Sequence, residues 1–314
     1  EKKNSKPMKN HISIIIVNYN TPDETKDCLR SLDNLETWGF DYQVIVVDNG
    51  SKVPLKLSSN FLRHHPRVEL ITSASNLGFT GGNNLGIKHA ANTYDSDYFL
   101  LLNSDTVVSN NFLKELYLLA KNDPKIGLIS PKIYFHKGYE YHQNSYQPDQ
   151  LGQVIWYAGG KIDWSNLISF HIGVDEVDRG QFDEPRETDF ATGCCLLITR
   201  EVVERVGTLD NRFFLYSEDV DYSLRVKRAG LKVYYCPSAL IYHKIASSTG
   251  GVGSQLQQYY QTRNRLLLSF KHGWRRRRLT TVHLALRLLI NGSASERKAV
   301  LDLIKSNLGK QSYV

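Results

Sequence analysis

Residues 98–108 read YFLLLNSDTVV, and the abrupt change inside that stretch limits the folds open to this chain. Phe99, Leu100, Leu101 and Leu102 have the character of a strand buried on both faces, after which the chain turns polar at Asn103, Ser104, Asp105 and Thr106. A carboxylate at the end of a core strand lies on the edge where open α/β sheets bind ligands. Asp105 is therefore a candidate to hold a metal ion against a phosphate. An Asp turn closing a strand explains the tetrad, taken alone, equally well.

The same device recurs earlier in the chain. Residues 11–18, HISIIIVN, form a buried strand ending at Asn18, and an amphipathic helix over 23–35 follows with Cys28, Leu29 and Leu32 inward. Residues 42–47, YQVIVV, stop at Asp48, Asn49, Gly50 and Ser51. A short strand over 68–71 precedes the run NLGFTGGNN, residues 76–84, which leads into a helix over 85–91. Strands alternating with helices at this spacing predict a parallel sheet of the nucleotide-binding kind, with the polar clusters sharing one edge. Asp48 can accept hydrogen bonds from a pyrimidine or ribose, and the glycines permit close backbone approach to a ligand. The glycine run matches neither the dinucleotide fingerprint nor the Walker loop, and a plain turn before a helix also accounts for it.

A helix over 111–122 and a strand over 127–133 continue the pattern, and then its character changes. Residues 134–186 are rich in Tyr, Trp, Gly and Gln with little periodicity; aromatic side chains there either stack on sugar rings or pack under a long loop. Regular structure returns with a strand over 195–198 and a helix over 200–206. Ser217 then reads as an N-cap, with Glu218, Asp219 and Asp221 in the first helical turn and Gly230 closing the helix. Acids at a helix start stabilise its dipole and need no other reason, yet three so close together also suit a general base beside a substrate. Strands over 232–236 and 239–243 follow, the second ending at His243, a residue type that is either a packed core group or a metal ligand.

With 314 residues and 41% hydrophobic content, the chain can bury one large core or two modest ones. Its apolar runs fall far short of the roughly 20 residues of a membrane span, and the Lys-rich start, residues 1–10, reads as a mobile arm without a signal core. A cytoplasmic location is expected, and Cys28, Cys194, Cys195 and Cys236 are expected to be reduced, buried thiols. The net charge of +7 is unevenly spread: residues 263–314 carry +10, which leaves −3 for residues 1–262. That basic segment contains Trp274 and Arg275 to Arg278, followed by Leu279, Val282, Leu286, Leu289 and Ile290 at helical spacing. Nucleic acid would explain the arginines but leave the acidic strand ends without a role, so it is not expected as a partner. An apolar stripe beside a basic cluster suits either an anionic membrane surface or packing on the rest of the protein.

The ordered set SIIIVNYN, VIVVDNGS, NLGFTGGNN, FLLLNSDT, ATGCCLLITREV, LYSEDVDYSLRVKRAG and YH resembles the family 2 glycosyltransferases of the GT-A fold. Within them it is most similar to bacterial cell-surface polysaccharide enzymes of the rhamnosyltransferase type. The resemblance implies a Rossmann-like α/β fold with a mixed, mostly parallel sheet flanked by helices. It divides residues 11–262 into a nucleotide-binding half, 11–133, and an acceptor-binding half, 134–262, ahead of a basic helical extension, 263–314. It also implies an inverting transfer dependent on Mg or Mn. Asp105 would be the metal-binding carboxylate of the DXD motif, whose first position here is Asn103, with Ser104 between them and His243 as a second ligand. Asn18, Asp48, Asn76, Gly81 and Asn83 would line the nucleotide site, and Arg263 would lie near the diphosphate, with Arg265 as its alternative. Asp219 would be the general base, with Glu218 turned to the acceptor or its hydrogen bonds. The implied donor is dTDP-L-rhamnose, with UDP-hexoses or UDP-N-acetylhexosamines as the alternative. The acceptor would be a saccharide or lipid-linked saccharide, reached by an enzyme that is cytoplasmic or peripheral on the inner membrane face and compatible with a homodimer.

Overall fold

The computed structural model describes residues 10–245 and 253–311. The expected N-terminal arm lies, apart from Asn10, outside the described residues. In chain order the elements are β1 (Asn10–Asn18), α1 (Pro22–Ser31), β2 (Phe40–Asn49), α2 (Ser59–His64), β3 (Val68–Ser73), α3 (Gly78–Thr93), β4 (Tyr98–Asn103), β5 (Thr106–Val108), α4 (Phe112–Asn122) and β6 (Ile126–Phe135). The second half adds β7 (Ile155–Tyr157), β8 (Gly160–Asp163), β9 (Ile168–His171), β10 (Arg186–Glu187), β11 (Cys195–Thr199), α5 (Arg200–Val206), α6 (Glu218–Arg228), β12 (Lys232–His243), α7 (Gln255–His272), α8 (Arg275–Asn291) and α9 (Ala294–Ile304).

One mixed sheet runs in the order β10-β12-β6-β11-β4-β1-β2-β3, with β5 beside β12 and β7 beside β6. Strands β1, β2, β3 and β4 pair in parallel, β11 inserts antiparallel between β4 and β6, and β6 and β12 are parallel again. Strand alternation sorts the apolar residues to two faces. Ile12, Ile14, Ile16, Val44, Val46, Leu100 and Leu102 pack with Leu29 of α1 and Leu113 and Leu116 of α4. Ile15, Ile45, Val47, Phe99 and Leu101 pack with Ile87 of α3, Val202 of α5 and Tyr222 and Val226 of α6. Both faces being covered is why these strands read as continuous apolar runs rather than alternating ones. All four cysteines are free and buried, and burial pushes the Cys28 thiol up to about 12 and Cys194 to about 11, which keeps them protonated and unreactive.

Several boundaries differ from the sequence reading for identifiable reasons. The helix expected at 85–91 starts at Gly78 and absorbs the glycine run, because α3 lies hard against the sheet: a Cβ on Gly86 would stand 2.4 Å from Cγ2 of Ile15. Glycine there serves close packing, which outweighs its poor helix propensity. The two strands expected at 232–236 and 239–243 are one strand, β12, with a register shift between Cys236 and Leu240, where Pro237 has no N–H for the ladder. The division expected after residue 262 falls inside α7.

Gly86→Ala is expected to cost about 1–3 kcal/mol by overpacking. In urea denaturation, the double variant with Ile15→Ala should lose clearly less than the sum of the two single variants, because the alanine at 15 removes the clashing methyl.

Candidate active site

The parallel register carries the polar strand ends to one edge: Asn18 aligns with Asp48 across β1 and β2, and Val17 with Asn103 across β1 and β4. A cavity of about 830 Å³ opens over that edge, of a size suited to a small-molecule ligand. Its sheet-edge wall includes Asn76, Asn83, Asn103, Ser104 and Asp105, while the second half of the chain supplies Trp156, Trp164, Thr192, Glu218, Asp219 and His243.

Asn18, Asp48 and Gly81 are not among the residues lining this cavity. Asp48 is buried; Asn18 Nδ2 and the Ser51 hydroxyl donate to its Oδ1, and the Leu55 N–H donates to its Oδ2. Gly81 lies inside the first turns of α3. Asn49, which sequence reasoning did not single out, ties together the loop between β3 and α3: its Nδ2 donates to Asn76 Oδ1 and the Gly78 carbonyl, and its Oδ1 accepts from the Leu77 N–H.

Asp105 and His243 meet because β5 pairs antiparallel with the end of β12, which sets Thr106 directly opposite His243. His243 Nε2 lies 3.1 Å from Asp105 Oδ1, and the imidazole packs edge-on against Trp156. Burial opposes a charge on His243, but Cys194 and the Asp105 carboxylate outweigh it and hold its pKa above the ordinary value. Among the described residues no group of three or more His, Cys, Asp or Glu is placed to hold a metal ion. A carboxylate and an imidazole at this separation fit a divalent ion that takes its remaining ligands from diphosphate oxygens and water, the habit of Mg and Mn at phosphate sites.

The three acids of α6 are sorted by their partners. Asp221 is fully buried among three nitrogen-bearing side chains: Arg225 Nε donates at 2.9 Å, His272 Nε2 lies 2.7 Å away and Lys271 Nζ 2.6 Å away. Burial works against its charge, yet hydrogen bonds from His272 and Lys271 hold its pKa below the usual carboxylate range. Asp219 and Glu218 instead face the cavity. Asp219 Oδ2 accepts from the Gly193 N–H and Oδ1 from the Val220 N–H, and burial raises its pKa despite them. Glu218 is pushed well above its ordinary value by burial and by Asp219 beside it, and among the described residues its Oε2 has no hydrogen-bond partner. Two adjacent carboxylates with unequal support divide the charge: Asp219, with backbone donors, is the ionised one, and Glu218 keeps the proton.

The turn that delivers this pair is unusual. Phe214, Tyr216 and Ser217 all have positive φ, at 64°, 70° and 66°. Ser217 stands at the N-cap as expected but makes no capping hydrogen bond, since a capping side chain needs extended backbone rather than this left-handed one. The turn is gripped from both sides. Gly78, at φ 75°, lets the start of α3 approach so closely that a Cβ would stand 2.4 Å from the Phe214 carbonyl oxygen. On the other side, Asn264 Nδ2 of α7 donates to the carbonyls of Phe213, Leu215 and Tyr216. Arg263, expected beside the diphosphate, is 0% exposed and spends its guanidinium on the carbonyls of Arg212, Phe213 and Gly309 and on Asn264 Oδ1. It holds the turn and does not line the cavity, whereas Arg265 does. Asn264 was missed by sequence reasoning; the signal available was an Arg-Asn pair embedded in an otherwise apolar helix register.

A cavity at the carboxyl edge of an α/β sheet, with a carboxylate–imidazole pair on one side and an ionised–neutral carboxyl pair on the other, has the layout of a group-transfer enzyme. Residues 9–266 match the family described as glycosyltransferase like family 2, and the chain belongs to that family; it is a glycosyltransferase. It is 26% identical over 262 residues to the low-salt glycan biosynthesis hexosyltransferase Agl10 of Haloferax volcanii, covering 83% of this chain and 76% of that protein. It is 25% identical over 275 residues to an N-acetylglucosaminyl-diphospho-decaprenol L-rhamnosyltransferase of Mycobacterium tuberculosis, covering 85% and 87%. To the rhamnosyltransferase WbbL of Escherichia coli it is 26% identical over 234 residues, covering 72% and 81%. The crystal structure of GalNAc-T7 with UDP, GalNAc and Mn2+ superposes with a TM-score of 0.66 at 17% identity, covering 96% of this chain; this chain spans only 56% of that one. The mannosyltransferase PcManGT of Pyrobaculum calidifontis, solved with GDP-Man and Mn2+, gives a TM-score of 0.52 at 13% identity, covering 97% and 77%. The fold is the GT-A glycosyltransferase fold, as the motif resemblance implied.

Two expectations follow from this geometry. Asn264→Ala strips donors from three carbonyls of the turn and should cost about 1–3 kcal/mol in chemical denaturation. Glu218 holds a proton in the folded chain that the unfolded chain loses near pH ~4.3, so stability falls as pH rises from there to the raised folded value. Calorimetry should therefore find Glu218→Gln melting above the parent at about pH 8, with the difference gone by about pH 4.

Proposed function

We propose that this protein transfers L-rhamnose from dTDP-L-rhamnose, with inversion, to a hydroxyl of a saccharide or lipid-linked saccharide during cell-surface glycan synthesis. The carrying observation is that the Asp219–Glu218 pair shares one cavity with the Asp105–His243 pair. Rhamnose as the sugar is supported by relatives whose own names specify rhamnosyl transfer.

In this reading Asn76, Asn83, Asn103 and Ser104 bind the donor along the sheet edge, while Asn18 and Asp48 shape the nucleobase end from behind. Asp105 and His243 would hold Mg or Mn, which would supply positive charge to a departing diphosphate. Asp219 accepts the proton of the acceptor hydroxyl. Its raised pKa makes it a stronger base than an exposed aspartate, and protonated Glu218 beside it adds no second negative charge. Trp156 and Trp164 line the wall on which an acceptor sugar can stack.

A thermal-shift and hydrolysis screen of sugar nucleotides with and without Mn identifies base and sugar together, since ligands of the native state raise its melting temperature. dTDP-L-rhamnose should give the largest shift; a larger response to a UDP-hexose or UDP-N-acetylhexosamine would replace the donor assignment. Asp219→Asn should lower turnover by a factor on the order of 100 to 10,000 with donor affinity nearly intact, and retention of more than about a tenth of the parent rate would remove Asp219 as base. In calorimetry with dTDP, Asp105→Ala should lose the Mn-dependent part of nucleotide binding while the fold survives; unchanged Mn dependence would remove Asp105 from the metal site.

A further inference from the structure

Helix α8 presents a face that nothing in the described chain covers. Leu279, Val282, Leu286 and Ile290 are all exposed, Leu279 at 71% and Ile290 at 73%, and at 100° per residue they fall within an arc of about 80°. Trp274, immediately before the helix, is 77% exposed. Leu301 and Ile304 of α9 are exposed as well.

The charges around this stripe are of one sign. On the same helical wheel Arg275 falls within the apolar arc, Arg276 and Arg287 flank it on one side and Arg278 on the other. All four are exposed, and α8 contains no Asp or Glu. The opposite side of the helix faces the protein: Thr281 is buried with its hydroxyl against Ser269 of α7, and the Arg277 guanidinium lies over the Trp164 ring, 4.8 Å from its centroid. The helix is thereby seated on the body through one face and leaves the apolar, arginine-flanked face outward. An exposed apolar stripe in water is unfavourable, and arginines at its borders would repel a second copy of the same face while attracting phosphate. An exposed Trp at the end of such a helix suits the boundary between headgroups and acyl chains.

We infer that α8, with Trp274, docks in the plane of an anionic lipid bilayer. The apolar stripe would enter the headgroup boundary while the arginines engage lipid phosphates. Among the described residues no helix is long and apolar enough to cross a membrane, so the contact is one of lying on the surface. Trp164 couples this face to the cavity, because it lines the cavity wall and carries Arg277 stacked on it, with Arg277 also 5.4 Å from the Trp274 ring centroid. Docking through α8 would bring the acceptor wall close to the bilayer, where a lipid-linked acceptor would be presented; that last step alone rests on the function proposed above.

The test is sedimentation of the full chain with vesicles of phosphatidylcholine alone and of phosphatidylcholine mixed with phosphatidylglycerol, at low and high salt. Binding needs no donor, metal or turnover, so its outcome is separate from that of the activity measurements. The parent should bind anionic vesicles and release them in high salt. Changing Arg275, Arg276, Arg278 and Arg287 together to Gln should weaken binding by at least about tenfold, at roughly 1 kcal/mol for each arginine near the surface. Leu286→Gln with Ile290→Gln should also weaken it, and since these side chains are exposed the melting temperature should hold. If that pair unfolds, the arginine set decides. Absence of binding, or binding equal for neutral and anionic vesicles and unchanged in the arginine variant, overturns the inference. So does a dimer in sedimentation equilibrium that the Leu286 and Ile290 substitutions dissociate, which would assign the stripe to a second copy.

Discussion

The turn from Phe213 to Ser217 depends on donors that come from far along the chain. Left-handed backbone at three positions in four residues is costly for side chains other than glycine and persists only where surroundings over-determine it. Here the surroundings are the amide of Asn264 and the guanidinium of Arg263, which convert outward-facing carbonyls into satisfied ones. Remove that support and the first turn of α6 loses its aim, and with it the direction in which two carboxyl groups point. The helix that provides the donors lies beyond the sheet in sequence, so the C-terminal helices complete the candidate site, and α7 also lines its cavity.

Electrostatics then divides labour among neighbouring acids of identical sequence appearance. Asp221 is paired with Arg225 within α6 and with Lys271 and His272 of α7, and the last two fasten α6 to α7. Asp219 has only backbone N–H groups, and Glu218 has even less. A carboxyl group surrounded by cations is a structural ion. One held by neutral dipoles in a cavity wall can exchange a proton with a ligand.

Much of this was legible in the sequence because strand patterning and sheet-edge chemistry are local. The runs IIIV, VIVV and FLLL announced a sheet covered on both faces, and the polar residues that ended them marked the ligand edge. What stayed hidden depends on pairings between distant residues. Nothing in the local sequence says that β5 lies against β12, so only the family resemblance joined Asp105 to His243. The assignment of Arg263 to the diphosphate failed because a buried arginine bonded to carbonyls and a cavity arginine bonded to phosphate have the same local pattern. The glycines of α3 looked like a loop because their value lies in what they let approach, Ile15 for Gly86 and Phe214 for Gly78.

The pairing of Asp105 with His243 spans 138 residues, and Asn264 reaches its turn from further on still. During synthesis the ribosome releases the nucleotide-side strands long before either partner exists. A partly made chain can therefore assemble β1 to β4 and their helices while lacking the second candidate metal ligand and the correctly aimed carboxyl pair. Long-range pairs of this kind form late and report that the whole topology is in place. The architecture thus delays a complete candidate site until assembly is nearly finished.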